Sequence, residues 1–136
     1  MTTPVGPHTL GETGLIVLPD ARVHAKDYSP TFYEELDRDF DGFHGHWLVQ
    51  KFEFSSDWPT WEIHPHGDEI VTLMSGKATF VLRQSDGSDE TVTVDEPGMT
   101  IVVPRNTWHT ARTDTPCAML FITPGEGTMN AEVPED

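Results

Sequence analysis

The chain has one cysteine, Cys117, among 136 residues, so an internal disulfide cannot form and a zinc site built from several thiolates is excluded. The run PCAMLFIT around it reads as a buried strand, which makes Cys117 a small core residue rather than a nucleophile. Positive charge is also scarce: 8 Lys and Arg stand against 23 Asp and Glu, a formal net charge of −15. No Lys/Arg cluster interrupts that excess, so a nucleic-acid backbone or an anionic membrane surface would be repelled, and neither is expected as a partner. Long apolar runs are missing too. The N-terminus MTTPVGPHTLGETGLIVLPD has no basic segment ahead of an apolar one, and LIVL is far too short to cross a bilayer, which leaves a cytoplasmic protein as the expectation. Nor is there a glycine-rich phosphate loop, a nucleophile elbow or a Ser/His/Asp arrangement.

What the chain does have is mass enough for one domain and one core, with 36% apolar residues. From Gly45 onward, eight short β-rich runs (HWLVQKFEF, TWEIH, EIVTLMSG, KATFVLR, ETVTV, MTIVVP, TWHTAR and CAMLFIT) alternate with turn-forming segments such as SSDWP, PHGD and QSDGSD. That rhythm predicts an all-β fold, a jelly-roll β-barrel over residues 45–124. Residues 1–44 are read as an N-terminal extension. Within it SPTFYEELDRDF, with a Glu at capping-box distance from Thr31, predicts a short helix near residues 31–38 that packs on the barrel or on a partner subunit. Residues 125–136 read as a loose polar tail, and Gly11 and Gly14 as turn residues.

Chemistry concentrates in WEIHPHGDEIVTLMSG, residues 61–76. Strand alternation puts Glu62 and His64 on one face; Pro65 and Gly67 impose a turn, and Glu69 then opens a strand that returns to the same cavity. In GMTIVVPRNTWHT a strand ends at Pro104, a turn follows, and His109 faces opposite to Trp108 and Thr110, so two separated segments can converge on one ion.

Both segments resemble the two motifs of the cupin superfamily. Glu69, six residues and Gly76 fit the end of the first motif, and counting back four residues from Glu69 reaches His64. Gly98, five residues, Pro104, Asn106 and His109 fit the second, apart from Asn106 at a glycine position and Thr113 at the final Asn. The resemblance spans about residues 45–122 and implies a small single-domain cupin. The family's first histidine falls on Glu62, so its usual three-His, one-Glu set becomes Glu62, His64, Glu69 and His109. The alternative register uses HPH and brings in His66, with only two residues before Glu69.

Two imidazoles with one or two carboxylates suit a divalent transition metal: Fe, Mn, Zn, Ni or Co. If only His64, Glu69 and His109 bind, the set is a two-His, one-carboxylate arrangement with open positions, which permits oxygenase chemistry. Glu62 is then either a fourth ligand or the catalytic proton acceptor. On HWLVQKFEF, alternation turns His46 and Gln50 inward as substrate contacts, and Phe80 on KATFVLR completes the lining, unless these aromatics are simply core. The expected function is binding or conversion of a small organic molecule, with dioxygenase-type chemistry ahead of isomerase or decarboxylase chemistry. A non-catalytic sensor or carrier and a metal-free cupin are the alternatives. Trp61 and Trp108 flank inward ligands and so face out, which suggests a homodimer through the outer sheet face or a cover from the N-terminal helix.

Overall fold

Apolar residues at every second position of CAMLFIT and EIVTLMS demand a face to cover them, and two opposed antiparallel sheets supply it. The computed structural model describes residues 5–132. The strands are β1 (Thr13–Val17), β2 (Val23–Asp27), β3 (Trp47–Phe54), β4 (Thr60–Ile63), β5 (Glu69–Ser75), β6 (Ala78–Arg83), β7 (Asp89–Val94), β8 (Thr100–Val103), β9 (His109–Arg112), β10 (Cys117–Thr123) and β11 (Met129–Glu132). One six-stranded sheet runs β2-β1-β3-β10-β5-β8 and a five-stranded sheet runs β11-β4-β9-β6-β7. This is a jelly roll whose two sheets face each other without closing into a continuous barrel.

Between the sheets Val71 and Leu73 of β5, Phe80 of β6, Val103 of β8 and Met119 of β10 are all at most 1% exposed. They form the main apolar cluster. Gly76 ends β5 with φ of +84°, and a side chain there would run into Pro116 and Cys117, so this turn admits only glycine without rearrangement.

The helix predicted near residues 31–38 is present as α1 (Phe32–Asp39), but the capping box is not. Thr31 makes no cap bond; its hydroxyl and that of Ser29 go instead to the Glu35 carboxylate, which also holds Lys26 at 2.7 Å. Phe32 and Leu36, one turn apart, pack with Phe43, Ile16 and Leu48 into a second apolar cluster on the inner face of β1 and β3.

Two segments depart from the sequence reading. The N-terminal extension supplies more than a helix, because β1 pairs with β3 and adds a hairpin to the large sheet. Gly14 therefore lies inside β1 rather than in a turn, where a Cβ would press on Phe32 and Leu48. The tail is not loose over Met129–Glu132, which pairs with β4 as β11; backbone pairing at a free edge needs no apolar pattern, so its polar sequence concealed it. Residues 133–136 of that tail lie outside the described residues.

Candidate metal centre

Strand β4 alternates as the sequence required: Trp61 and Ile63 point one way, Glu62 and His64 the other, into a cavity between the sheets. The His64 carbonyl accepts the Asn106 amide at 3.0 Å, which ties the turn after β4 to the turn after β8. Glu69 begins β5 on the cavity side. His109 begins β9 directly opposite Glu62 in the sheet register, so the second motif is delivered to the first by strand pairing.

His109, Glu69 and His64 are 0%, 2% and 4% exposed. His109 Nε2 lies 3.2 Å from Glu69 Oε1, and His64 Nε2 lies 3.3 Å from Glu69 Oε2. Ligand atoms of Glu62, His64 and His109 also all lie within 4.8 Å of one another. Each imidazole is oriented from behind. His109 Nδ1 is 3.0 Å from the Thr107 carbonyl, which can only accept, so Nδ1 carries the proton. His64 Nδ1 is 2.8 Å from Thr128 Oγ1, whose own hydrogen goes to the Gly125 carbonyl at 2.9 Å, so here too Nδ1 donates. In the neutral rings both Nε2 atoms are therefore bare lone pairs facing a carboxylate.

Acceptors facing acceptors in a buried space repel unless something positive sits between them. His64 Nε2, His109 Nε2 and Glu69 Oε1 are indeed buried with no hydrogen bond of adequate geometry. Only Glu69 Oε2 is satisfied, by the Thr123 hydroxyl at 2.6 Å. A divalent cation fits this donor set, with nitrogen and carboxylate ligands and hydrogen-bonded second partners. Protons supply the charge otherwise. Burial disfavours the charged form of His109, but the facing Glu69 outweighs it and raises its pKa. Burial likewise opposes ionisation of Glu69, yet the facing His109 and His64 imidazoles, once protonated, hold it at about 2. Glu62, half-buried, is pushed up by desolvation and by the negative charge of Glu69.

The cavity measures about 560 Å³. Its mouth is formed by Tyr33, Leu36 and Asp37 of α1 with Gly42 and Phe43; its walls include Gln50 and Phe52 of β3, Trp58, Phe121 and Asn130. Glu62, His64 and Glu69 lie at its polar end. Of the substrate contacts expected from the sequence, only Gln50 lines the cavity. Phe80 is fully buried in the apolar cluster, behind Trp58, with ring centroids 5.7 Å apart. His46 precedes β3 rather than belonging to it, directly after Gly45 with its φ of +69°; its ring stacks on Phe43 with centroids 5.2 Å apart. His66 is 54% exposed in the turn and lies 3.6 Å from Glu126, apart from the buried cluster. Trp61 is covered within the chain by the Arg83 guanidinium, 4.7 Å above its ring, so it asks for no partner subunit.

Three supporting groups went unread in the sequence. Thr123 had a signal, a hydroxyl on the apolar face of CAMLFIT. Thr107 and Thr128 had none, since a turn carbonyl and a residue of the polar tail carry no pattern.

The cupin domain model matches residues 49–123, more than half of the chain, and the chain belongs to that family. No protein of curated function matches it in sequence. Among solved structures, an oxalate oxidase superposes with a TM-score of 0.53 at 22% identity, over 61% of this chain and 45% of that one. The oxalate decarboxylase of Bacillus subtilis gives 0.51 at 22%, over 65% and 23%. Hydroquinone 1,2-dioxygenase from Sphingomonas sp. TTNP3, with 4-hydroxybenzoate bound, gives 0.50 at 16%, over 57% and 58%. The chain thus spans less than two thirds of each, and at these identities the likeness concerns the fold.

Proposed function

We propose that this cupin holds one divalent transition metal on His64, His109 and Glu69, with Glu62 as fourth ligand or proton acceptor, and uses it on a small organic molecule in the adjoining cavity. The observation carrying this reading is the pair of bare Nε2 atoms, each with its Nδ1 proton fixed from behind, meeting carboxylate oxygens in a buried space. When bound, such an ion supplies Lewis acidity and, with open positions, the means for dioxygenase-type chemistry. The chain's own residues do the rest. Thr128 and Thr107 hold the rings, Thr123 holds Glu69, and Glu62 faces the cavity with a raised pKa suited to taking up or releasing a substrate proton.

Calorimetric titration of chelator-stripped protein with Fe(II), Mn(II), Ni(II) and Zn(II) tests this. One site per chain is expected in the wild type and in His66→Ala, and none in His109→Ala. Equal loss in both variants would mean that the ligand register is wrong.

The outer face of the large sheet favours a homodimer. Leu15, Val49, Ile122, Ile70 and Val102 pair in register across five strands and form one aliphatic row there, with Val102 56% exposed. Sedimentation should show a dimer that Val102→Glu dissociates; a monomeric wild type would remove this reading.

A further inference from the structure

We propose that the cavity is selective for a ring-bearing molecule without an anionic group, neutral or cationic, and discriminates against carboxylates. The proposal rests on the reading of the cavity as a ligand site beside the metal, and narrows what that site accepts.

The size suits a small aromatic compound, since about 560 Å³ lies within the ordinary range of small-molecule sites. The walls suit one too. Tyr33, Phe43, Phe52, Trp58 and Phe121 all line the space, from α1, the turn after it, β3, the β3–β4 loop and β10. Phe52 keeps 49% of its surface exposed, a cost to the folded chain alone that a stacked ring would remove.

Charge decides the rest. Three carboxylates line the cavity, those of Asp37, Glu62 and Glu69, and among the described residues no Lys or Arg does. The basic side chains are engaged elsewhere. Arg22, Lys26, Arg38, Lys51 and Arg83 pair with Asp20, Glu35, Asp39, Glu53 and Asp89. Lys77 and Arg112 line a separate shallow hollow, and the Arg105 backbone is held by Asp68 in the turn after β8. With both imidazoles neutral and all three carboxylates ionised, a divalent ion still leaves the cavity one negative charge, in a chain whose formal net charge is −15. Away from the metal an entering carboxylate finds no guanidinium or ammonium to pair with, and beside the metal it must sit near Glu62, a juxtaposition that costs affinity. A hydroxyl or an ammonium finds acceptors instead, in Glu62 and in the Gln50 side-chain oxygen that Tyr33 marks at 3.2 Å.

The test uses three probes of one shape and three charges, benzyl alcohol, benzylamine and benzoate, with oxalate as a small dianion. Binding to the full chain is followed by calorimetry, in metal-loaded and in stripped protein. Benzyl alcohol and benzylamine are expected to bind at least about tenfold more tightly than benzoate, and Glu62→Gln to narrow the benzylamine-to-benzoate ratio by about tenfold. Benzoate or oxalate binding as tightly as the uncharged probe overturns the proposal. So does failure of all the ring probes to bind protein that has taken up metal. Failure of the metal reading registers separately, as absent metal uptake while the order of the ring probes persists in stripped protein.

Discussion

The two halves of the space between the sheets are lined by the same strands and differ in almost everything else. Along β5 the inward positions run Glu69, Val71, Leu73, and along β10 they run Cys117, Met119, Phe121, Thr123. At one end these side chains meet Phe80, Val94 and Val103 and fill the interior with hydrocarbon. At the other they meet His64 and His109, leave lone pairs without partners and open onto a cavity. The apolar half follows the rules by which a fold is held together, where buried area and close packing favour every residue. The polar half violates them, since replacing such a cluster by hydrocarbon would commonly be neutral or stabilising. A fold that tolerates this at one end only has a use for that end.

The largest effect expected from breaking the contrast is in the apolar half. Phe80→Ala should lower unfolding free energy by about 3–5 kcal/mol in urea denaturation, yet leave metal stoichiometry unchanged in the folded fraction. Loss of metal together with stability would mean the halves are not separable.

The next effect belongs to the polar half. Thr123→Val and Thr128→Val keep shape but remove the hydroxyls that hold Glu69 and His64, and each should weaken metal binding by about 10–100-fold with little change in fold. Thr110→Val removes a hydroxyl at least as buried as that of Thr123, which donates to the Thr60 carbonyl instead, and metal affinity should not change. Similar losses in all three would show that contact with the ligand side chains is not what makes these hydroxyls matter.

The smallest effect is at the surface, where acid sensitivity has a source outside both halves. Lys26, Ser29 and Thr31 hold Glu35 at about 2, below its ordinary 4.5. A depressed carboxylate contributes stability that is fully present above its unfolded value and is lost as pH falls through the folded one. Wild-type stability should therefore lose the Glu35 contribution as pH falls from about 4.5 towards 2, and Glu35→Gln should flatten that part of the curve. An unchanged slope would remove Glu35 from the acid response.

Much of this was legible in the sequence, for reasons that differ by residue. Turn residues and alternation gave eight of the strands, and motif spacing gave Glu62, His64, Glu69 and His109, because strand pairing preserves in space what spacing records along the chain. Phe80 and His46 show where the method stops. Alternation assigns a face and not a depth, so it left Phe80 open between cavity lining and core, and the side chain lies in the apolar half. Alternation also holds only within a strand, and His46 lies just ahead of β3, stacked on Phe43. The β1–β2 hairpin and β11 were missed because edge pairing uses backbone groups that every sequence has.

The most direct measurement is anomalous diffraction from crystals grown with added Mn(II), Fe(II), Ni(II) or Zn(II), recorded at the metal's absorption edge. A single peak per chain is expected between the Nε2 atoms of His64 and His109, about 2.0–2.3 Å from each, with Glu69 bound to it. A peak at His66 and Glu126, apart from the buried cluster, or no peak at saturating metal, would contradict the account.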